Sequence, residues 1–227
     1  MTRPTSVPGS PRKGAAQWLE RFPVLHPPVS TAGAAVTVVL RDGLTDVETL
    51  VIERAANPQD PASGNVALPG GKVDERDGSL AATALRELRE EVGLATSDLA
   101  GPLRFVGAVP APRFRLHVGV FAAALAETGR PPTIGDPEEV AHVFWLPTAA
   151  LAESRLVGRT WEGDSRRVFA SVHDGRVVWG FTRRVLRDFF GLPAEDASEG
   201  PVYAPAPDTS APPATEDPGP AGPTDGA

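Results

Sequence analysis

The segment SLAATALRELREEV, residues 79–92, is the feature that most constrains the fold. Ser79 is a favourable N-cap residue, and Gly93 suits the left-handed position that follows the end of a helix. At about 100° per residue, one arc of the helix carries its apolar side chains: Leu80, Ala81, Ala84, Leu85, Leu88 and Val92. The segment therefore predicts an amphipathic helix that packs against a core.

Three glutamates, Glu87, Glu90 and Glu91, cluster on one side of this helix, and Glu91 projects at the rim of the apolar arc. Like charges at i, i+4 cost about 0.2–0.5 kcal/mol, and carboxylates in the last turn oppose the helix dipole. An ordinary charged face with an Arg86–Glu90 pair is the alternative, but it leaves the other two glutamates unexplained. Carboxylates suit Mg²⁺ or Mn²⁺, and the glycine turn at 70–71 would let a backbone carbonyl approach such an ion.

Strand patterns lie on both sides of this helix in the sequence. A hairpin that folds at Asp174-Gly175 is also predicted. The predicted strands are 34–40, 47–54, 103–109, 115–125 and 139–146, and the predicted hairpin spans 167–179. Further helices are predicted at 15–22 and 181–190. This order of strands, helix, strands and helix predicts an α+β fold, with a mixed sheet and helices on its faces.

The two ends of the chain lack a periodic apolar pattern. After Gly200, eight of the 25 prolines fall within the last 27 residues. Such a composition buries too little apolar surface to offset the entropy of ordering. We therefore expect disordered tails at 1–13 and 196–227, around one domain at 14–195.

Composition excludes several classes of protein. The absence of cysteine excludes disulfide frameworks, thiol nucleophiles and zinc–thiolate sites. A net charge of -7 argues against a nucleic-acid binder. The longest apolar run, near 34–40, is too short for a membrane span, and no signal peptide is recognised. We expect a cytoplasmic protein with a small-molecule partner, and the sequence leaves a homodimer open.

At 70–94, the sequence GGKVDERDGSLAATALRELREEVGL closely resembles the Nudix box, G-x5-E-x7-R-E-U-x-E-E-x-G-U, in which U is aliphatic. Gly71 matches the first position, and residues 86–94 match the last nine. Two departures are present: Asp77 replaces the middle glutamate, and eight residues rather than seven separate it from Arg86. A weaker likeness extends from about residue 34 to 190.

The resemblance implies an α/β/α sandwich, hydrolysis of a pyrophosphate bond, and roles for individual residues. Glu87 and Glu91 would be the main ligands of the metal ion, assisted by Glu90 and by the carbonyl of Gly71. Arg86 would orient Glu87, and either Asp77 or Asp74 would pair with Arg86. The reaction also needs a carboxylate that accepts a proton from water. Three glutamates are candidates for this base: Glu87, and Glu138 and Glu139, which precede the strand segment VAHVFWLP.

The extended box and the segment VVWGFTRRVLRDFF, residues 177–190, look like those of coenzyme A pyrophosphatases. The upstream motif of that subgroup is only partly present, since its histidine is absent and Leu68 replaces a phenylalanine. Arg54 remains from the motif and is a candidate for substrate binding. Arg113 and Arg115 are further candidates, because a strand would place both side chains on one face with His117.

Three functions therefore stay open. The first is hydrolysis of a nucleoside diphosphate derivative such as coenzyme A or its thioesters. The second is hydrolysis of damaged nucleoside triphosphates. The third is a nucleotide-sensing domain without turnover, which the intact glutamates disfavour.

Overall fold

The computed structural model describes residues 14–60, 62–161 and 164–193. The expected tails at 1–13 and 196–227 lie outside the described residues. The helices are α1 (Ala15–Leu19), α2 (Leu80–Val92), α3 (Thr148–Ala152) and α4 (Gly180–Phe190). The strands are β1 (Ala34–Asp42), β2 (Val47–Arg54), β3 (Val66–Ala67), β4 (Gly70–Lys72), β5 (Arg104–Ala111), β6 (Leu116–Ala124), β7 (Val140–Pro147), β8 (Arg155–Trp161), β9 (Asp164–His173) and β10 (Arg176–Trp179).

A seven-stranded mixed sheet forms the centre of the described fold. Its main path runs β3-β2-β1-β6-β5, while β4 pairs with β1 and β7 pairs with β2. The β1–β6 pair is parallel, and the other pairs are antiparallel. A second sheet, β10-β9-β8, is antiparallel throughout.

Helices cover both faces of the central sheet. Because alternate residues of each strand point to opposite sides, each strand contributes to two separate layers of core. Ala35 and Val39 of β1 belong to the core beneath α2. Val38 and Leu40, also of β1, belong to the core that packs against α1 and α4. The expected α+β fold, an α/β/α sandwich around a mixed sheet, is confirmed.

The predicted strand face that would carry Arg113, Arg115 and His117 was wrong. Pro112–Phe114 form a 3-10 turn, Arg115 has a left-handed backbone with φ of 53°, and β6 begins only at the following residue. Pro112 lacks the N–H group that a continuing strand would donate to its neighbour. The alternation that the sequence suggested is therefore broken before β6 begins.

Among the helices and strands of the described residues, the sequence does not predict the short strands β3 and β4, the strand β8 or the helix α3. Among the described residues, no helix is both long and apolar enough to cross a membrane.

Candidate active site

The acidic helix α2 forms where its local sequence predicts it. The Ser79 hydroxyl oxygen accepts a hydrogen bond from the backbone N–H of Ala82, at 3.2 Å. At the other end Gly93 has φ of 68°, and its N–H donates to the carbonyl of Arg89. Both caps remove unpaired backbone groups, so the last turn, which carries the glutamates, has a defined position.

Two of the three glutamates are buried. Glu91 is 1% exposed and Glu87 is 7% exposed, whereas Glu90 faces solvent. One carboxylate oxygen of Glu91 accepts the backbone N–H of Gly70 at 2.7 Å. A Cβ atom at Gly71 would overlap the carboxylate of Glu87, so any other residue there would displace that carboxylate from its present position. Glu91 thus lies deeper than the rim position expected from the helical arc.

Arg86 joins the glutamates to the residues before the helix. Its Nη1 donates to Glu87 at 2.8 Å and to Glu90 at 3.0 Å. Its Nη2 donates to the carbonyl of Lys72 at 2.9 Å, and the guanidinium also donates twice to Asp77. These hydrogen bonds raise the pKa of Arg86 above its ordinary value, with the largest contribution from Asp77. Arg86 therefore contacts both Glu87 and Glu90, and that it orients Glu87 for the reaction stays a prediction.

Asp77, and not Asp74, is the partner of Arg86. The Asp77 carboxylate accepts hydrogen bonds from Nε of Arg86 at 3.2 Å and from Nη2 of Arg86 at 3.0 Å. It also accepts a hydrogen bond from the hydroxyl of Thr83 at 2.9 Å. Asp74 pairs instead with the exposed Arg76. Hydrogen bonding from Arg86 lowers the pKa of Asp77. The shorter side chain and the additional residue in the box thus still bring a carboxylate to the arginine.

The buried glutamates are short of positive charge. The pKa of Glu91 is raised to about 8, mainly by burial. The charges of Glu87 and Glu139 contribute to the rise, whereas the Gly70 N–H and Arg54 oppose it. Burial also raises the pKa of Glu87, although Arg86 opposes that rise. Carboxylates whose pKa is perturbed by burial and by one another are typical of functional sites.

The donor atoms fit a hard divalent cation. Carboxylate oxygens from Glu87, Glu90 and Glu91 and the carbonyl of Gly71 are the ligand types that Mg²⁺ and Mn²⁺ prefer. A cation would also supply the charge that the buried pair lacks. Within the described ranges, no three His, Asp or Glu side chains are already arranged as a metal site. Two of the four candidate ligands, Glu87 and Glu90, are instead hydrogen-bonded to Arg86.

Two of the predicted residues from outside the helix lie within electrostatic reach of the glutamates. The charges of Arg54 and Glu139 both shift the pKa of Glu91. Arg54 also pairs with Asp60 at 2.9 Å, and Glu139 is exposed. Arg115 is exposed on the turn before β6, and no described contact joins it to the glutamates.

A cavity of about 250 Å³ lies on the other face of the sheet. Its lining is mostly apolar and comes from α4, β5, β6 and the segment after α1: Arg21, Phe22, Val106, Val109, Val120, Val185, Asp188 and Phe189. None of these residues belongs to the glutamate cluster. The cavity is therefore separate from the candidate active site.

The sequence did not identify Asp98 as a residue of interest. Its buried carboxylate accepts hydrogen bonds from Ala95, just after α2, and from Arg130. Arg130 lies 32 residues further along the chain, so no local pattern could have revealed the contact.

The chain is similar to known proteins in sequence and in structure. The NUDIX domain family model matches residues 31–169. An uncharacterized Nudix hydrolase NudL of Cronobacter sakazakii is 34% identical over 187 residues, which are 76% of this chain and 91% of that protein. The NudL protein of Yersinia pestis is 35% identical over 144 residues, or 61% of this chain and 69% of that protein. The solved Nudix hydrolase RenU of M. smegmatis is 19% identical, covering 73% of this chain and 90% of that one, with a TM-score of 0.46.

Proposed function

The chain belongs to the Nudix hydrolase family, and from that premise we propose that it cleaves the pyrophosphate bond of a nucleoside diphosphate derivative with Mg²⁺ or Mn²⁺ at the glutamates of α2. One observation carries the proposal. Glu87 and Glu91 are both buried beside the Gly70-Gly71 turn, burial raises the pKa of both, and the charge of Glu87 raises the pKa of Glu91 further. Folding stability alone gives no reason to bury two adjacent carboxylates when only one of them, Glu87, is paired with a cation, Arg86.

Glu87 and Glu91 would hold the ion, with help from Glu90 and the carbonyl of Gly71. When bound, such an ion neutralises charge that develops on the phosphoryl oxygens and makes water more acidic. Arg86 keeps a carboxylate oxygen of Glu87 in place through the 2.8 Å hydrogen bond. Asp77 holds the guanidinium from its other side. The orientation of Glu87 is thus fixed before substrate arrives, which lowers the cost of reaching the reactive arrangement.

Glu139 is the base that we favour. It is exposed, so its carboxylate oxygen is accessible to water, and its charge acts on both Glu87 and Glu91. Glu87 is the less favourable choice, because Arg86 already engages one of its oxygens at 2.8 Å. A carboxylate oxygen of Glu139 would accept a proton from the attacking water, a step that contributes about 10²–10⁴-fold in enzymes.

Arg54 is the first candidate for binding a substrate phosphate, since its charge acts on Glu91 from the end of β2. Coenzyme A and its thioesters are the first substrates to test, on the strength of the extended box and of residues 177–190. The histidine missing from the upstream motif makes other nucleoside diphosphate derivatives the next group to test. Arg113 and Arg115 remain predicted phosphate contacts, although they do not share the strand face from which the prediction came.

A substrate panel with Mg²⁺ or Mn²⁺ tests the proposal. Coenzyme A, acyl-coenzyme A, dinucleotides, sugar nucleotides and nucleoside triphosphates would be compared for wild type and for Glu91→Gln. We expect at least one diphosphate derivative to be hydrolysed, with kcat/KM lower by about 10²-fold or more in the variant. Coenzyme A would yield 4′-phosphopantetheine and 3′,5′-ADP.

The outcomes separate the alternatives. Preference for triphosphates would replace the proposed substrate class with nucleotide sanitation. Tight binding of a nucleotide without turnover of any substrate would identify a sensing domain and overturn the proposed reaction. Glu75→Gln is the matched control, because it makes the same chemical change at an exposed glutamate.

A further inference from the structure

The loop at 126–137 caps the C-terminal end of the acidic helix α2. The N–H of Thr133 donates to the carbonyl of Val92 at 3.0 Å, and the N–H of Gly135 donates to the carbonyl of Glu91 at 3.0 Å. The last four carbonyls of a helix have no partner within the helix. This loop therefore supplies hydrogen bonds that α2 needs, and one of them is on a candidate metal ligand.

Asp98 fastens the first part of this loop. One oxygen of its buried carboxylate accepts the N–H of Arg130 at 3.1 Å. The other accepts the N–H of Ala95, three residues after α2, at 2.8 Å, and Nη2 of Arg130 at 3.2 Å. The backbone carbonyl of Asp98 also accepts the N–H of Ala126 at 2.9 Å. A single side chain thus ties the end of the helix to the loop.

The far end of the loop leads directly to Glu139. The carbonyl of Asp136 accepts the N–H groups of Glu139 and Val140, which makes a tight turn after Gly135. The carbonyl of Glu139 accepts the N–H of Ala55 at 2.9 Å. Only three residues separate Gly135 from Glu139, so the position of Gly135 against the helix limits where the Glu139 carboxylate can lie.

Gly135 makes the closest approach between the loop and α2. A Cβ atom there would overlap the backbone carbonyl oxygen of Glu90, which cannot move without distorting the helix. Gly135 is not among the residues with positive φ. The position therefore demands the absence of a side chain because of space and not because of backbone conformation.

We infer that the loop at 126–137 is a positioning element for the reaction, and that Asp98 and Gly135 set the place of Glu139 relative to Glu87 and Glu91. The loop shares hydrogen bonds with the helix that carries two of these glutamates and continues within three residues into the third. Displacing it changes the distance between the base and the metal ligands without removing any carboxylate. The inference rests on the proposed function, in which Glu139 accepts the proton.

A double-mutant cycle with Gly135→Ala and Glu139→Gln, made in the full chain, tests the inference. Gly135→Ala alone should lower kcat by about 10-fold or more with a smaller change in KM, because a displacement of about 1 Å can cost 10²-fold. Glu139→Gln alone should lower kcat by about 10²-fold or more. In the Glu139→Gln background, Gly135→Ala should cause little further loss, because the two changes act through the same carboxylate.

Gly78→Ala is the matched control, since a Cβ atom there meets nothing within 4 Å. It should keep wild-type kcat. Asp98→Asn gives a second route, because it weakens the attachment of the loop while keeping the size of the side chain. If Gly135→Ala fails to fold, as judged by thermal unfolding, the same cycle with Asp98→Asn and Glu139→Gln replaces it.

Additive losses of kcat in the cycle would overturn the inference, as would wild-type kcat in Gly135→Ala or in Glu139→Gln. These results differ from failure of the proposed function, which would appear as no metal-dependent turnover by the wild-type protein.

Discussion

Replacing Glu91 by glutamine should stabilise the metal-free protein at alkaline pH. Burial raises the pKa of Glu91 from its ordinary 4.5 to about 8. Between pH 4.5 and about pH 8, the Glu91 carboxyl is therefore protonated in the folded protein and ionised in the unfolded chain. The free energy of unfolding should fall as the pH rises from about 4.5 to about 8, and the whole penalty should be present above pH 8. Glutamine removes this dependence because it does not ionise.

The size of the gain follows from the same values. The interval from 4.5 to about 8 corresponds to about 5 kcal/mol, at about 1.36 kcal/mol for each pH unit. Glutamine also introduces a buried NH₂ group, and leaving it without a partner costs about 1–3 kcal/mol. The N–H of Gly70 still has an amide oxygen to which it can donate. We therefore expect Glu91→Gln to raise the free energy of unfolding by about 2–4 kcal/mol above pH 8.

Urea denaturation in EDTA at several pH values between 5 and 9 measures this effect, with Glu75→Gln as the control. Wild type and the control should lose stability across the range by more than Glu91→Gln does. The reasoning is refuted if Glu91→Gln shows the same pH dependence as wild type, or if it is less stable than wild type at pH 8.5. A stabilised but inactive variant would separate the role of this carboxylate in catalysis from any role in folding.

Three other perturbations have defined outcomes. Asp77→Ala should lower both kcat/KM and the free energy of unfolding, the latter by about 1–3 kcal/mol, because Arg86 loses one of its carboxylate partners. Asp74→Ala, assayed in the same way, should change neither quantity by a comparable amount. Gly70→Ala should lower the free energy of unfolding, measured by urea denaturation, by more than about 3 kcal/mol. Gly70 has φ of 148°, and a Cβ atom there would overlap the backbone of β1. A smaller loss of stability would contradict the close packing of this turn against β1. EDTA should abolish turnover and excess Mg²⁺ should restore it, whereas activity that survives exhaustive chelation would contradict metal dependence.

The acidic helix was predictable because its signals are local. Ser79 and Gly93 mark its two ends, and the spacing of its apolar residues gives its buried face. The same spacing placed Glu91 next to the core. It could not give the depth of burial, which depends on the approach of the Gly70-Gly71 turn from a separate strand. Helical geometry therefore identified the cluster, while tertiary packing determined its electrostatics.

The pairing of Arg86 could not be chosen from sequence. Asp74 and Asp77 are both within reach along the chain, but Asp74 is engaged by Arg76, only two residues away. Asp77 in turn receives the hydroxyl of Thr83, which orients it toward the arginine. Which aspartate pairs with Arg86 therefore depends on the other donors near each carboxylate, and the sequence pattern does not predict which donor each carboxylate binds.

The errors and omissions have physical causes too. The alternating spacing of Arg113 and Arg115 predicts a strand, yet Pro112 begins a 3-10 turn and Arg115 adopts a left-handed backbone. The contact of Asp98 with Arg130 spans 32 residues, and only the folded chain brings these two together. Local periodicity contains no information about either arrangement.

The most direct test of the central claim is a Mn²⁺ titration followed by electron paramagnetic resonance, with wild type and Glu91→Gln compared at equal concentration. If the glutamates of α2 hold the catalytic ion, wild type should remove free Mn²⁺ from solution, and Glu91→Gln should bind it at least about 10-fold more weakly. Glu75→Gln should bind as wild type does. Equal affinity in wild type and Glu91→Gln would contradict the assignment of this carboxylate cluster as the metal site.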